Sequence, residues 1–198
     1  MGFPKRKKSI VVIFLVLSLI FLEVKGRAER TKPQIEIGFL AGLRTLNNAD
    51  LKSVYGNGFI FFPSITLIWR GIIFGGGYET GFKKNGLIGI YQEPAQLTVN
   101  EPEIYAGYQL TLNKFAPYLK LGWGFYSYKQ VVNSPYVSNY PVNGKKSGLI
   151  FAAGFKFYPI KRMFISAEIK YGALKVKPYD QVVDIGGMRL NGGLGICF

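Results

Sequence analysis

The residues of this chain that could do chemistry are charged side chains set at alternate positions within otherwise apolar segments. Four are glutamates and five are lysines or arginines: Glu36, Glu79, Glu103 and Glu168, with Arg44, Lys120, Lys156, Lys170 and Arg189. An isolated charge is too costly to bury, so we expect the two sets to form ion pairs across a shared interior. Such a network either lines a gated or ion-selective path or stabilises a closed interior.

The composition argues against catalysis. The chain has no histidine and therefore lacks the usual general base that titrates near neutral pH. Its serines have no evident activating partner: Ser64, Ser127, Ser147 and Ser166. We predict a non-enzymatic protein with no catalytic residue and no cofactor.

Metal binding and disulfide formation are also disfavoured. A single cysteine, Cys197, cannot close an intramolecular disulfide, and cysteine-rich or histidine-rich metal sites are excluded by composition. Carboxylates in the connecting segments, such as Asp50 or Asp180 with Asp184, fit solvated turn positions better than a metal site. We therefore predict no metal centre.

The charged residues lie in segments where apolar side chains occupy every second position, which is the pattern of β-strands. Eight strands are predicted, at about 34–45, 58–70, 72–82, 103–112, 115–130, 147–158, 163–174 and 186–198. No 10-residue stretch beyond residue 34 has a convincing helical period, so the predicted fold is all-β.

Short and long connections alternate strictly between these strands. The short ones are 70–71, 113–114 and 159–162, and the long ones run 11 to 20 residues each, at 46–57, 83–102, 131–146 and 175–185. This sorting is typical of an even-stranded transmembrane barrel with both termini at the short-turn end. The residues flanking each two-residue turn, Trp69 with Ile72 and Leu112 with Phe115, fall on the apolar face, as paired hairpin positions should.

Alternation alone does not show which face is inside, because a soluble barrel has the same period with its apolar face inward. Glycines crowd the charged face, which suits the inside of a narrow barrel. Trp69, Phe157, Met163 and Phe198 lie at the short-turn end of the apolar face, where an interfacial girdle is expected. We predict an eight-stranded antiparallel up-and-down transmembrane β-barrel, with the soluble barrel as the alternative.

Residues 1–28 have the order of a secretory signal peptide. Four consecutive basic residues precede a run of thirteen residues, 10–22, that is apolar except for one serine. That length fits a signal peptide and is shorter than the ~20 residues of a membrane-spanning helix. We expect cleavage near 26–28 and one domain over 29–198, with an uncleaved anchor as the alternative.

The chain carries a formal net charge of +14. Beyond the leader, the basic residues are spread singly along the strands and form no continuous stripe, so nucleic acid is not an expected partner. An anionic lipid surface fits this distribution better.

The carboxyl terminus alternates to its last residue. Asn191, Gly193, Ile196 and Phe198 look like the terminal assembly signal of bacterial outer-membrane barrels, although an ordinary final strand has the same period. Segment 154–171, with an aromatic-proline pair before a turn and a Glu-x-x-Tyr after it, looks like the sixth and seventh strands of such barrels.

With these motifs the chain resembles the small eight-stranded outer-membrane superfamily of the OmpA membrane domain, OmpX, OmpW and opacity proteins. The resemblance implies export to the outer membrane, assembly by the barrel assembly machinery, and outer-membrane lipid and lipopolysaccharide as neighbours. We expect a monomer. Since an eight-stranded barrel is only wide enough to be filled by side chains, we favour a plugged interior over a channel.

One connection is rich in tyrosine. Tyr126, Tyr128, Tyr136 and Tyr140 follow the fifth predicted strand, and we expect an extracellular hairpin there that offers tyrosine contacts to a ligand. Packing of these rings against the barrel rim is the alternative. The predicted function is that of a structural or surface-adhesive barrel, and the alternative is a narrow channel or conduit for small or hydrophobic molecules.

Overall fold

The computed structural model describes residues 32–133, 141–176 and 183–198. The structure contains eight long antiparallel strands: β1 (Gln34–Leu46), β2 (Gly58–Trp69), β3 (Ile72–Ile88), β4 (Glu93–Gln109), β5 (Phe115–Val132), β6 (Pro141–Ile160), β7 (Met163–Gly172) and β10 (Gly187–Cys197). They form a closed barrel in the order β1-β10-β7-β6-β5-β4-β3-β2. The predicted fold class is confirmed, and the predicted signal peptide lies outside the described residues.

Pairing of the first and last strands closes the barrel. Their register matches Ile37 with Ile196 and Leu43 with Leu190. Beyond the last residue of β10, the Phe198 N–H donates to the Ile35 carbonyl at 2.8 Å, and the Ile35 N–H donates to the Phe198 carbonyl at 3.2 Å. No strand edge is left open along this seam, as a membrane-spanning sheet requires.

The two faces of the sheet divide as alternation predicts. Large apolar side chains such as Ile65, Phe74 and Leu121 are exposed on the outer surface, while the predicted lumen charges are buried. The charged face therefore points into the barrel, which is the arrangement of a transmembrane barrel and the inverse of a soluble one.

The short turns lie at one end, which we call the short-turn end. Trp69 pairs with Ile72 around the Arg70-Gly71 turn, and both central residues have positive φ, 51° and 82°. This is the geometry that suits a twisted two-residue hairpin. Leu112 likewise bridges to Phe115.

The third short turn is shorter than predicted. Ile160 pairs with Met163, so the turn is Lys161-Arg162 and not 159–162. The register shifts between Phe157 and Ile160, which indicates a β-bulge. A bulge tolerates Pro159 inside the strand because its extra residue stands outside the regular ladder.

At the opposite end, which we call the long-loop end, the prediction of a loop over 83–102 is wrong. β3 runs to Ile88 and β4 begins at Glu93, so most of that segment is a hairpin. The register shifts between Glu79 and Phe82, with Gly81 at φ +95°. β5 and β6 are longer than predicted as well, and together the four strands form a sheet that extends past the other four; we call it the β3–β6 extension.

Polarity inverts in the β3–β6 extension, and this inversion hid the strands. Phe82, Leu97 and Val99 face inward there and are buried, whereas polar side chains face outward. Outside the hydrocarbon layer the exterior of the sheet meets water, so its apolar side chains pack inward as in a soluble protein.

A short helix, α1 (Ala49–Tyr55), follows β1 within the predicted loop 46–57. The Asn48 side chain caps it by accepting the Leu51 N–H at 2.9 Å. The Tyr55 hydroxyl accepts a 2.7 Å hydrogen bond from Gln130 of β5. Burial raises the pKa of that hydroxyl, and the hydrogen bond from Gln130 opposes the rise.

The chain between β7 and β10 forms a separate two-stranded sheet, β8 (Lys175–Val176) with β9 (Val183–Asp184). Within the residues that the structure describes, no helix is long and apolar enough to cross a membrane.

Candidate functional site: the charged interior

Among the described residues, ten buried charged side chains lie inside the barrel, five carboxylates and five bases. They are the nine predicted residues and Glu101: Glu36, Arg44, Glu79, Glu101, Glu103, Lys120, Lys156, Glu168, Lys170 and Arg189. Each is at most 8% exposed. The formal charge of the set is therefore zero at neutral pH, which is the condition under which so many buried charges can persist.

Four of these residues form a cluster near the long-loop end. Arg44 donates to Glu79 at 2.7 Å and lies 3.4 Å from Glu101. Arg189 is 3.1 Å from Glu79 and also pairs with Glu101. Arg44 makes a further 2.9 Å hydrogen bond to the Ile185 carbonyl. Two carboxylates and two guanidinium groups thus alternate, and each charge faces two of opposite sign.

Lys170 joins this cluster to the rest of the interior. Its Nζ donates to both carboxylate oxygens of Glu103 at 2.9 Å, and it lies 4.0 Å from Glu79. The same Nζ lies 3.6 Å from the ring centroid of Phe62, so a cation–π interaction with this ring also stabilises the ammonium group.

Two ion pairs fill the part nearer the short-turn end. Lys120 donates to Glu168 at 2.8 Å, and Lys156 pairs with Glu36. Tyrosines complete their coordination, since Tyr118 donates to Glu168 at 3.0 Å and Tyr158 donates to Glu36 at 2.6 Å. These neutral donors add hydrogen bonds without changing the charge balance.

Next to these pairs lies a small cavity between β1, β2, β5, β6 and β7, lined in part by Glu36, Tyr118, Lys120 and Lys156. It offers about 10 Å³ to the centre of a water-sized sphere. That is roughly the space one water molecule needs. Beside these two ion pairs the cavity thus has room for about one water molecule.

An apolar cluster occupies the interior beyond the arginines, at the long-loop end. It joins α1 to the β3–β6 extension through buried side chains that include Tyr55, Ile60, Phe82, Leu97 and Tyr126. Above the charged network, the outer mouth of the barrel is thus packed with apolar side chains.

Sequence reasoning missed Glu101 because it assigned residues 83–102 to a loop. The sequence did contain a signal for Glu101, because it lies two residues before Glu103 and alternate residues of a strand share a face. Both side chains are buried inside the barrel. The carboxylates of the interior sit against cations and tyrosines, and in the described part of the chain no cluster has the composition of a metal site. The arrangement can hold charges in place, and the buried Cys197 thiol donates to Glu36 at 3.7 Å.

The residues of the predicted assembly signal lie along β10. Asn191 is buried inside the barrel, while Ile196 and Phe198 are exposed on its outer surface. Gly193 lies against the β1 backbone, where a Cβ would overlap the Phe39 carbonyl. Close packing of β10 against β1 therefore requires glycine at position 193, independently of any role of Gly193 in assembly.

The tyrosines of the predicted extracellular hairpin do not form an exposed surface as far as they are described. Tyr126 is buried, and Tyr128 packs partly buried against the same apolar cluster. Both side chains lie on the inward face of β5. The alternative prediction, packing of the aromatic rings against the barrel, therefore describes these two residues. Tyr136 and Tyr140 lie outside the described residues.

Solved structures of similar fold are small outer-membrane barrels. Neisserial surface protein A matches with a TM-score of 0.58 and 14% identity, covering 84% of this chain and 97% of its own. Ail of Yersinia pestis, solved with the heparin analogue sucrose octasulfate, matches at 0.54 and 19%, with coverages of 84% and 97%. The N-terminal barrel domain of Pseudomonas aeruginosa OprF matches at 0.53 and 15%, with coverages of 83% and 97%.

A search of curated proteins finds no match. The family model described as outer membrane protein beta-barrel domain matches residues 12–198, nearly the whole chain. The closed barrel with its apolar exterior and paired interior charges agrees with that assignment. The chain belongs to the outer membrane protein beta-barrel domain family.

Proposed function

We propose that this protein is a non-enzymatic structural or surface-adhesive barrel whose interior is largely plugged. The observation that carries the proposal is the filled interior, where five carboxylates balance five bases and an apolar cluster follows them. An ion could pass only if these paired side chains moved apart. Their separation would leave buried charges unpaired in a low-dielectric interior, which is strongly unfavourable.

The β3–β6 extension supports a role at the cell surface. In barrels of this kind the longer connections face outside the cell. The extension is held by α1 on its inner side, so it presents an ordered sheet instead of a flexible loop. The similar fold of Ail, named an attachment invasion locus protein, supports the adhesive form of the proposal. We further propose that the barrel works as a monomer and is inserted by the barrel assembly machinery.

The alternative function is a narrow channel. It is favoured by the Ser166 hydroxyl and the Asn191 amide, which are buried and have no hydrogen-bond partner among the described residues. Water inside the barrel would satisfy these groups, and a continuous file of water would conduct.

Planar-bilayer recordings test the proposal directly. The refolded barrel is expected to give no discrete conductance steps, because the ion pairs close its cross-section. A double variant that removes one ion pair, Glu79→Ala with Arg189→Ala, should stay silent too, because the other ion pairs and the apolar cluster remain in the interior. Discrete steps from the unaltered protein would contradict the plug and support the channel.

Adhesion is tested on whole cells that display either the unaltered barrel or one with the β3–β4 hairpin cut back to the Phe82–Val99 pair. The shortened barrel is expected to assemble and to lose cell attachment. Equal attachment by both would leave only the structural form of the proposal.

A further inference from the structure

The outer surface of the β3–β6 extension carries a basic wall immediately above the apolar belt of the barrel. Lys83 pairs with Thr98, Thr98 with Lys129, and Lys129 with Asn143, so one row crosses four strands. All three lysines of the wall are exposed: Lys83, Lys129 and Lys145. None has a carboxylate within ion-pair distance in the described ranges.

Neutral hydrogen-bonding groups fill the rest of this wall. Asn100 pairs with Ser127, which pairs with Lys145. The Gln96 amide donates to Asn85 at 2.7 Å one row further out. A surface of separated ammonium groups among amides and hydroxyls is complementary to a sugar that carries several phosphates.

The depth of the wall places it among lipid headgroups. Lys129 is four residues beyond Phe125, the last exposed aromatic of the belt on β5. Four residues span about 13 Å along a strand. At a strand tilt of about 40° the rise along the membrane normal is about 10 Å. The lysines point away from the barrel axis at this height and are exposed.

The same side of the barrel has an apolar groove in its belt. Gly76 pairs with Ile65 on β2 and with Ile104 on β4. It therefore leaves a gap between two large side chains on the outer surface. The groove has a volume of about 760 Å³ and is bounded by Ile65, Phe74, Tyr78 and Ile104, among others. Gly76 is two residues below Tyr78, roughly 5 Å into the hydrocarbon of the outer leaflet.

The wall and the groove meet on β3. Lys83 lies on β3, Lys129 on β5 and Lys145 on β6, and the groove crosses β1 to β4. On β3 the charge of Lys83 is above and the groove at Gly76 is below. Their order along the membrane normal matches a lipid whose phosphorylated headgroup lies above its acyl chains.

We propose that this side of the barrel is a binding site for one molecule of lipopolysaccharide, with its phosphates on Lys83, Lys129 and Lys145 and an acyl chain in the groove at Gly76. Phospholipid carries a single phosphate per molecule and would use only part of the wall. Each lysine near an anionic lipid surface raises affinity about fivefold. Because three lysines act together, we expect this site to bind an anionic lipid more tightly than the rest of the barrel surface does.

Binding is measured by titrating the refolded barrel in a neutral detergent with lipopolysaccharide that lacks the long polysaccharide. The chain has two tryptophans. Trp123 pairs with Ile104 beside the groove, so a Trp69→Phe background leaves a local fluorescence reporter. Substituting all three lysines of the wall by glutamine is expected to weaken binding at least tenfold. Filling the groove by Gly76→Leu is expected to weaken it at least threefold.

Matched controls carry the same changes elsewhere. Lys32→Gln with Lys114→Gln and Lys161→Gln removes three exposed charges at the short-turn end. Gly192→Leu adds the same side chain to an outward glycine on β10, where the nearest neighbouring atom would be 3.9 Å away. Both controls are expected to bind within twofold of the unaltered barrel, and gel mobility before and after heating confirms that every variant is folded.

Three outcomes would overturn the proposed lipid site. The first is equal binding by the three-lysine variant and its control. The second is equal affinity for chemically dephosphorylated lipopolysaccharide, which would show that phosphate is not recognised. If a soluble sulfated polysaccharide binds through the same lysines and Gly76→Leu has no effect on either ligand, the wall serves a soluble glycan and the assignment to lipid is wrong.

Discussion

At the scale of residues, the interior depends on charge balance. The nine charges predicted from the sequence carry four negative and five positive charges, and the structure adds Glu101 as the fifth carboxylate. Arg189 contacts both Glu79 and Glu101, and Arg44 does the same. Neither arginine is neutralised by one partner alone, so the four residues act as a unit.

We therefore expect Glu101→Gln to destabilise the barrel by about 3 kcal/mol, because the two buried arginines are then left with Glu79 as their one shared carboxylate and the cluster carries an excess positive charge. Denaturant unfolding of the refolded protein measures the change. Asp50→Asn in α1, an exposed position, is the control and should have almost no effect. A double variant, Glu101→Gln with Arg189→Met, should recover part of the loss; if it is no more stable than the single variant, the coupling is wrong.

At the scale of elements, the β3–β6 extension and α1 depend on each other. Gly86 of β3 faces α1, and a Cβ there would lie 2.5 Å from Val54 Cγ1 and 2.6 Å from the Val54 carbonyl oxygen. The helix approaches the strand this closely because glycine has no side chain. In return, Tyr55 and Val54 cover apolar side chains of the extension.

Gly86→Leu is expected to displace α1 and leave the barrel intact. Trypsin should then cut after Lys52 at least tenfold faster than in the unaltered protein, as followed by mass spectrometry. Asn85→Leu places the same side chain one residue away on the outward face and should leave cleavage unchanged. Equal cleavage in the two variants would mean that α1 does not need this contact.

At the scale of the whole molecule, pairing of the first and last strands closes the barrel. Phe198 makes two backbone hydrogen bonds with Ile35, and the residue is 72% exposed at the short-turn end. The ring contributes little to internal packing, so its predicted role is recognition during assembly.

Phe198→Ala is accordingly expected to lower the amount of barrel assembled in the outer membrane several-fold in cells. Refolding of the purified variant into detergent should be unchanged, because the backbone hydrogen bonds remain. Phe115→Ala, another exposed aromatic near the same end, is the control. Normal assembly of the Phe198 variant, judged by heat-dependent gel mobility, would refute the signal.

Strand alternation, the sorting of loop lengths and the position of nine interior charges could all be read from the sequence, because in a single-layer barrel each residue faces either lipid or lumen and its type records which. Three features required the tertiary structure. The β3–β6 extension was hidden because the polarity of its faces inverts beyond the bilayer, where water replaces lipid on the outside. The pairing of particular charges, such as Arg189 with Glu101, depends on closure of the sheet, which brings side chains on distant strands together. The groove at Gly76 is defined by large side chains on the neighbouring strands, and a single strand records only the glycine.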